Sequence, residues 1–267
     1  MSKIEWTHKT WNPITGCSKI SEGCRNCYAE RMAERLKGRC GYPADNPFAI
    51  TYHNDKVRAP YHWRKPQMIF VCSMGDLFHE KISFDFIDIV MGVIQDNSRH
   101  IFQVLTKRPA RASHYFESRP EIKIIENLWF GVTAENQIAA NIRIPFLASI
   151  PALVKFASFE PLLERVNVDN LIQYLDWLII GGETGPGARP MEFSWAANIF
   201  HCAQENYVPI FFKSWGEFNA DGNRVGKKRA GRLIFGAEWD DFPLGVNTSS
   251  LDTRDYGVFE NVQQSGY

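Results

Sequence analysis

The feature that most constrains this chain is alternation. Short runs rich in Val, Ile, Phe and Trp recur along it, and stretches with helical spacing of apolar residues follow them. The predicted strands are 10–16, 68–73, 101–106, 128–133, 153–158, 176–181 and 208–213. The predicted helices are 25–37, 83–96, 108–117, 135–149, 161–174 and 193–206. The runs at 68–73 and 176–181 are nearly continuous in apolar character, as parallel strands buried on both faces are. In 83–96, Phe86, Ile87, Val90, Met91 and Ile94 share one helix face, and Ser83 stands where a cap belongs.

Repeated βαβ units imply an α/β fold with a parallel sheet. A partial or near-complete parallel (β/α) barrel is its natural closure, and an open doubly wound sheet is the alternative. No Gly-x-Gly-x-x-Gly stands at the first βα turn. The alternation stops near Trp215. Residues 1–218 are therefore read as the barrel, with a long insertion at 38–66 rich in Pro, Tyr and His. Residues 219–267 are read as an irregular, basic and polar C-terminal extension, with 244–267 expected to be loop-like or poorly ordered.

Composition sets outer bounds. The 267 residues are 45% hydrophobic, which suits one large core. Thirty basic residues balance thirty acidic ones, so net charge gives no argument for a nucleic-acid partner. The start, MSKIEWTHKTWNP, has no apolar leader, and no apolar run approaches the roughly 20 residues of a membrane span. The expectation is a cytoplasmic protein with no membrane partner.

Three of the six cysteines, Cys17, Cys24 and Cys27, fall within eleven positions, in the order Cys-x6-Cys-x2-Cys. They follow the first predicted strand and enter the first predicted helix. Cys40, Cys72 and Cys202 are scattered. A tight group in a reducing compartment signals metal or redox chemistry more than disulfides. Three thiolates suit a four-iron cluster with one open corner. They also suit a zinc ion with Cys40 or His8 as a further ligand, although the second ligand pair of a common finger is missing. Unmetallated thiols are the third reading.

The stretch TWNPITGCSKISEGCRNCYAERMAERL resembles the opening of the phage- and prophage-borne three-cysteine-motif proteins, which are related to the radical S-adenosylmethionine (SAM) superfamily. The resemblance runs over roughly 1–243 through SMGDLFHE (73–80), FQVLTKRP (102–109), WFGVTAENQ (129–137), FEPLL (159–163), IIGGETGPGARP (179–190), FFKSWGEF (211–218) and GKKRAGRL (226–233). The cysteine loop is three residues longer than the common Cys-x3-Cys-x2-Cys. Asn26 stands where that motif has an aromatic residue, and Tyr28 follows the last cysteine instead.

The resemblance implies a barrel of radical SAM type. It implies a 4Fe-4S cluster on Cys17, Cys24 and Cys27, with SAM on the open iron. One-electron cleavage of SAM would then give a 5′-deoxyadenosyl radical that takes hydrogen from the substrate. A flavodoxin or ferredoxin would supply the electron. In a parallel barrel the site lies at the C-terminal ends of the strands, and charged residues follow the predicted strands there. Glu160, Glu183 and Lys213 are the catalytic candidates. Tyr28, Met74, Gly75, Asp76, Lys107, Glu135, Asn136 and Arg189 are the candidates for binding SAM. Capping of the next helix is the alternative reading for Asp76, Glu135 and Asn136; Lys107 and Arg108 suit a SAM carboxylate or a substrate phosphate, with a solvated basic turn as the alternative. The loop 182–190 offers backbone N–H groups to a ligand but is no Walker motif, lacking Gly-Lys-Ser/Thr.

Two features point toward nucleic acid. One is the basic run 226–232. The other is the set Tyr52, Tyr61, His62, Trp63, Arg64 and Lys65 in the insertion. With the family context, the expected substrate is a modified pyrimidine in phage DNA, a thymine derivative undergoing rearrangement or isomerisation. A zinc-binding nucleic-acid module and a non-catalytic partner protein are the rival classes.

Overall fold

The computed structural model describes residues 4–243. Seven strands form one sheet: β1 (Lys9–Trp11), β4 (Met68–Val71), β5 (Ile101–Thr106), β6 (Ile125–Thr133), β7 (Ala152–Phe159), β8 (Trp177–Gly181) and β9 (Ile210–Ser214). They are hydrogen-bonded in that order, and every neighbouring pair is parallel. Two short strands, β2 (Ile14–Thr15) and β3 (Thr51–Tyr52), pair antiparallel beside it.

Side chains alternate across the sheet, and the two faces differ. One face contributes Ile69, Val71, Phe102, Val104, Phe130, Leu178 and Phe212 to a large core. That core includes residues of α3 (Phe84–Asp96), α4 (Pro109–Glu117) and α6 (Phe193–Glu205). The other face contributes Met68, Phe70, Ile101, Trp129, Val154, Phe156, Trp177, Ile179 and Phe211 to a second core. Among the described residues no α-helical one joins it; Trp6 and Phe242 fill it instead. Helices on one face only, with strands in chain order, make a (β/α) half-barrel. The doubly wound alternative needs helices on both faces and is excluded.

The inner face is aromatic. Trp6 is 2% exposed and lies 4.7 Å from Phe70, with Phe156 and Trp177 at 6.4 and 6.3 Å between ring centroids. Gln103 Nε2 donates to the Trp6 carbonyl at 3.2 Å, which ties the N-terminal segment into the barrel. Gly131 makes room: a Cβ there would meet the Phe156 ring at 2.4 Å.

Three expectations change. The strand predicted at 10–16 is split: Lys9–Trp11 joins the parallel sheet, Pro13 lacks the N–H that a continuing ladder needs, and Ile14–Thr15 pairs with β3 instead. The helix predicted at 135–149 is an α-helix only over α5 (Gln137–Arg143) and then a 3-10 segment, Ile144–Ser149, which contains Pro145. The helix predicted at 161–174 is absent save for one 3-10 turn, Ile172–Tyr174. Its apolar residues Leu162, Val166, Val168 and Leu171 are buried as a helix face would be. The backbone instead turns on Asn167, whose Oδ1 accepts from the Asp169 N–H at 2.8 Å.

The insertion 38–66 holds β3, α2 (Asn54–Val57) and a 3-10 turn at Ala59–His62. The cysteine segment enters α1 (Tyr28–Arg35), and the basic run forms the short α7 (Lys227–Ala230). Residues 239–241 lie along β9: Phe212 N–H donates to Trp239 O at 2.8 Å and Asp241 N–H to Ile210 O at 3.1 Å. No helix among the described residues is long and apolar enough to cross a membrane. The expectation for 244–267 lies outside the described residues.

Candidate functional site

A cavity of about 440 Å³ opens at the C-terminal ends of the strands. Cys17, Cys24 and Cys27 all line it, and all are free thiols. Tyr28, Gly75, Asp76, Lys107, Glu160, Glu183 and Lys213 line it too. The structure therefore brings together the cysteine group and most of the strand-end residues that the sequence singled out.

Several of them already have partners. Asp76 is 6% exposed and accepts from Thr106 Oγ1 (2.7 Å), Phe78 N–H (3.0 Å), Lys107 N–H (3.1 Å) and Arg108 Nη1 (3.2 Å). Both its oxygens thus hold the β4 and β5 loops together. Gly75 does permit a close backbone approach, but the approaching group is Gly16, whose carbonyl would stand 2.7 Å from a Cβ. Met74 does not line the cavity; it is buried with Ala29, Ala33 and Tyr42 and seats α1. Asn136 caps α5, its Oδ1 accepting from Ala139 N–H at 2.8 Å, and stays off the cavity wall.

Glu135 is fully buried beneath the cysteine loop. Arg143 Nη1 reaches it at 2.7 Å, and a Cβ at Gly23 would lie 3.0 Å from its carboxyl carbon. Burial alone would raise its pKa. The Arg143 charge, with a hydrogen bond from Ser21 and the charge of Lys107, outweighs burial and holds it below the ordinary value.

The glycine-rich loop after β8 also faces the cysteines. Glu183 accepts from Asn26 Nδ2 (3.1 Å) and from Arg189 Nη2 (2.7 Å). Arg189 Nη2 donates to Glu22 O at 3.0 Å, and Asn26 Nδ2 to Gly187 O at 2.8 Å. Arg31 Nη2 donates to Thr184 O at 3.0 Å. A residue at 187 has φ +74°, which glycine adopts without strain. This loop is a clasp on the segment 22–31, and Arg189 is not part of the cavity lining.

Besides Arg108 and Asp76, the cavity wall carries the ion pair Lys213 Nζ to Glu160 Oε1 at 2.7 Å, with Ser158 Oγ donating to Glu160 Oε2 at 3.1 Å. Burial opposes the charge on Lys213, but Glu160 wins and its pKa is raised. Another pair, Lys227 Nζ to Glu5 Oε1 at 2.6 Å, lines the same space from residues 222 positions apart. No local signal in the sequence links those two. Tyr28 is 46% exposed at the mouth while its hydroxyl donates inward to Ser73 O. Burial of that hydroxyl raises its pKa.

The thiols decide what the site can hold. Among the described residues no three Cys, His, Asp or Glu side chains converge where one metal ion could sit. His8 is at the other end of β1, its ring accepting from Met68 N–H at 3.0 Å, so it is no zinc ligand here. A polynuclear iron–sulfur cluster takes its thiolates on separate irons, so it asks for three thiols round one mouth. All three cysteines border this one cavity. Burial, then the nearby Asp76 charge, pushes the Cys17 thiol up to about 11, against the opposing Arg108.

The basic and aromatic set of the insertion is divided. His62, Trp63, Arg64 and Lys65 border a separate depression with Lys9 and Gln67. That depression is at the N-terminal ends of β1 and β4, away from the cysteines. Tyr61 Oη donates to Asp96 at 2.6 Å, and Tyr52 packs on Phe86 at 4.7 Å.

Fold and site together define a (β/α) half-barrel protein with a thiol-lined cavity at the strand ends. The chain belongs to the family described as "Protein of unknown function (DUF5131)", whose model matches residues 1–243. No curated protein matches it. Among solved structures, a spore photoproduct lyase mutant with bound AdoMet and dinucleoside spore photoproduct is similar, with a TM-score of 0.39 and 13% identity. The match covers 64% of this chain and 55% of that one, so this chain spans little more than half of that protein.

Proposed function

We propose that this chain is a radical SAM enzyme. Cys17, Cys24 and Cys27 would hold a 4Fe-4S cluster with one corner left for SAM. The observation that carries this reading is the three free thiols on one cavity at the C-terminal ends of a parallel half-barrel. The chemistry supplied there, with both groups bound, is one-electron reductive cleavage of SAM to an organic radical that abstracts hydrogen.

The chain's own residues do the rest. Lys107 offers an ammonium to an anionic ligand group at the cavity wall. Glu160 and Lys213 form a pre-oriented donor and acceptor pair for the polar part of a substrate. The aromatic inner face, with Trp6 and Phe70 reaching the cavity, excludes water from a reactive intermediate. The proposed substrate is a modified pyrimidine in phage DNA, rearranged or isomerised, with a flavodoxin or ferredoxin as electron donor. Lys228 and Arg229, exposed on α7 next to Lys227, suit the phosphates of such a strand.

The test is anaerobic purification with iron, sulfide and zinc analysis, then dithionite and SAM. Brown protein with about four irons per chain that releases 5′-deoxyadenosine supports the reading. Colourless protein with one zinc overturns it in favour of a zinc-binding module.

A further inference from the structure

We infer that Arg108 is a positioning residue for Cys17, and that its charge sets how easily the metal group held there is reduced. This rests on the cluster reading above. The guanidinium is 9% exposed and reaches five acceptors. Nε donates to Glu80 Oε2 at 2.8 Å, and Nη1 to Asp76 Oδ2 at 3.2 Å and Cys17 Sγ at 3.5 Å. Nη2 donates to the Ser18 carbonyl at 3.1 Å and to Ser18 Oγ at 2.9 Å.

The arm that carries it is fixed at its root. Arg108 N–H donates to Thr106 Oγ1 at 2.9 Å, and Pro109 opens α4 directly after it. Its far end is fixed as well. Ser18 Oγ lies 2.9 Å from His79 Nε2, and His79 Nδ1 accepts from Lys81 N–H at 3.2 Å, which leaves the ring proton on Nε2 for Ser18. Cys17 and Ser18 are thus gripped through backbone, hydroxyl and sulfur at once. Only a planar fork spans all of these; a lysine does not.

The electrostatic part follows from the same contacts. A cation donating to a thiolate ligand stabilises the form of the metal group with one more electron. Asp76, which shares Nη1 with Cys17, and Glu80, held on Nε, act in the opposite sense. Removing Arg108 therefore leaves the Asp76 carboxylate beside the thiolate without its counter-charge and releases Glu80, and the group becomes harder to reduce. Removing Glu80, which is 59% exposed, makes it easier to reduce. Opposite shifts from two neighbouring residues are what a purely structural role does not produce.

The experiment compares wild type, Arg108→Gln, Arg108→Lys and Glu80→Gln after anaerobic reconstitution with iron and sulfide. Iron per chain after gel filtration, the midpoint potential by EPR-monitored titration, and the thermal melt are measured. Arg108→Gln is expected to shift the potential negative and to weaken metal retention by roughly 10–100-fold. Arg108→Lys should restore most of the potential but not the retention. Glu80→Gln should shift the potential positive without loss of iron, and it stands as the test even if Arg108→Gln fails to fold. Wild type that takes up iron, with potentials unmoved by Glu80→Gln or by a folded Arg108→Gln, overturns this inference alone. Wild type that takes up no iron overturns the cluster reading and this inference with it.

Discussion

Arg189 and Glu22 are 167 residues apart and are joined twice, Nη2 to the Glu22 carbonyl at 3.0 Å and Nη1 to its carboxylate at 3.2 Å. Arg189 is oriented for this by Glu183, which also takes Asn26 Nδ2 at 3.1 Å. The loop after β8 therefore holds the cysteine loop through side chains. Glu183→Ala is expected to loosen segment 22–26 and lower iron retention several-fold, with thermal stability reduced by about 1–3 kcal/mol. Hydrogen exchange of the amides at 22–26 checks it; unchanged protection there would refute the clasp.

Cys17→Ala, Cys24→Ala and Cys27→Ala should each abolish retention of a four-iron cluster, and Cys202→Ala, buried in α6, should not. Iron and sulfide analysis of the four variants decides this. Full iron in any of the first three would remove that cysteine from the ligand set.

Acid should destabilise the fold in two stages. His8, His53, His79 and His100 all have pKa values lowered from 6.5, chiefly by burial. The unfolded chain thus binds more protons than the native one below about 6.5, so stability falls as pH drops through that region. Glu135, Glu183 and Glu5 are lowered from 4.5; in each, burial raises the pKa but basic partners, Arg143, Arg189 and Lys227 respectively, outweigh it. Their contribution is present above 4.5 and is lost as pH falls through the folded values. Urea denaturation at several pH values between 7.5 and 3.5 should show a decline that begins near 6.5 and steepens below 4.5. A flat profile down to 5 would contradict the histidine part.

Gly16→Ala should be severe. Gly16 has φ +92°, and a Cβ would stand 2.1 Å from Ala49 O. Backbone strain of about 1–3 kcal/mol adds to that clash, directly beside Cys17. A variant that melts within a degree or two of wild type would be inconsistent with this geometry.

If a DNA strand lies along α7, replacing Lys228 and Arg229 together with Ala should weaken binding and reduce the slope of log K against log salt by about 2. Fluorescence anisotropy across a salt series measures both. An unaltered slope would place the phosphate contacts elsewhere.

The parallel sheet was legible because its strands are apolar on both faces, as in Trp177–Gly181, and a period-2 pattern is not needed to see them. The false helix at 161–174 shows the converse. Leu162, Val166 and Leu171 are buried from an irregular chain, and burial spacing alone does not separate that from a helix. Within the site, residue type and strand-end position picked out the cavity wall at Glu160, Glu183 and Lys213. They did not separate ligand-facing residues from scaffold. Asp76 and Glu135 are consumed by Arg108 and Arg143, contacts set by loops about 30 positions apart or by the length of α5. Glu5 and Lys227 meet because the segment before β1 and the short α7 come together at the cavity wall.

The half-barrel leaves β9 at the sheet's edge, and residues 239–241 run along it. A nascent chain that has reached Ser214 therefore has all seven strands but an uncovered rim of backbone N–H and C=O groups. During synthesis that rim is the place where two copies would stick, and it is hidden only when the following 27 or so residues have left the ribosome. A chain cut after residue 235 should accordingly collect in inclusion bodies, even though every cysteine and every cavity-lining residue is still in it.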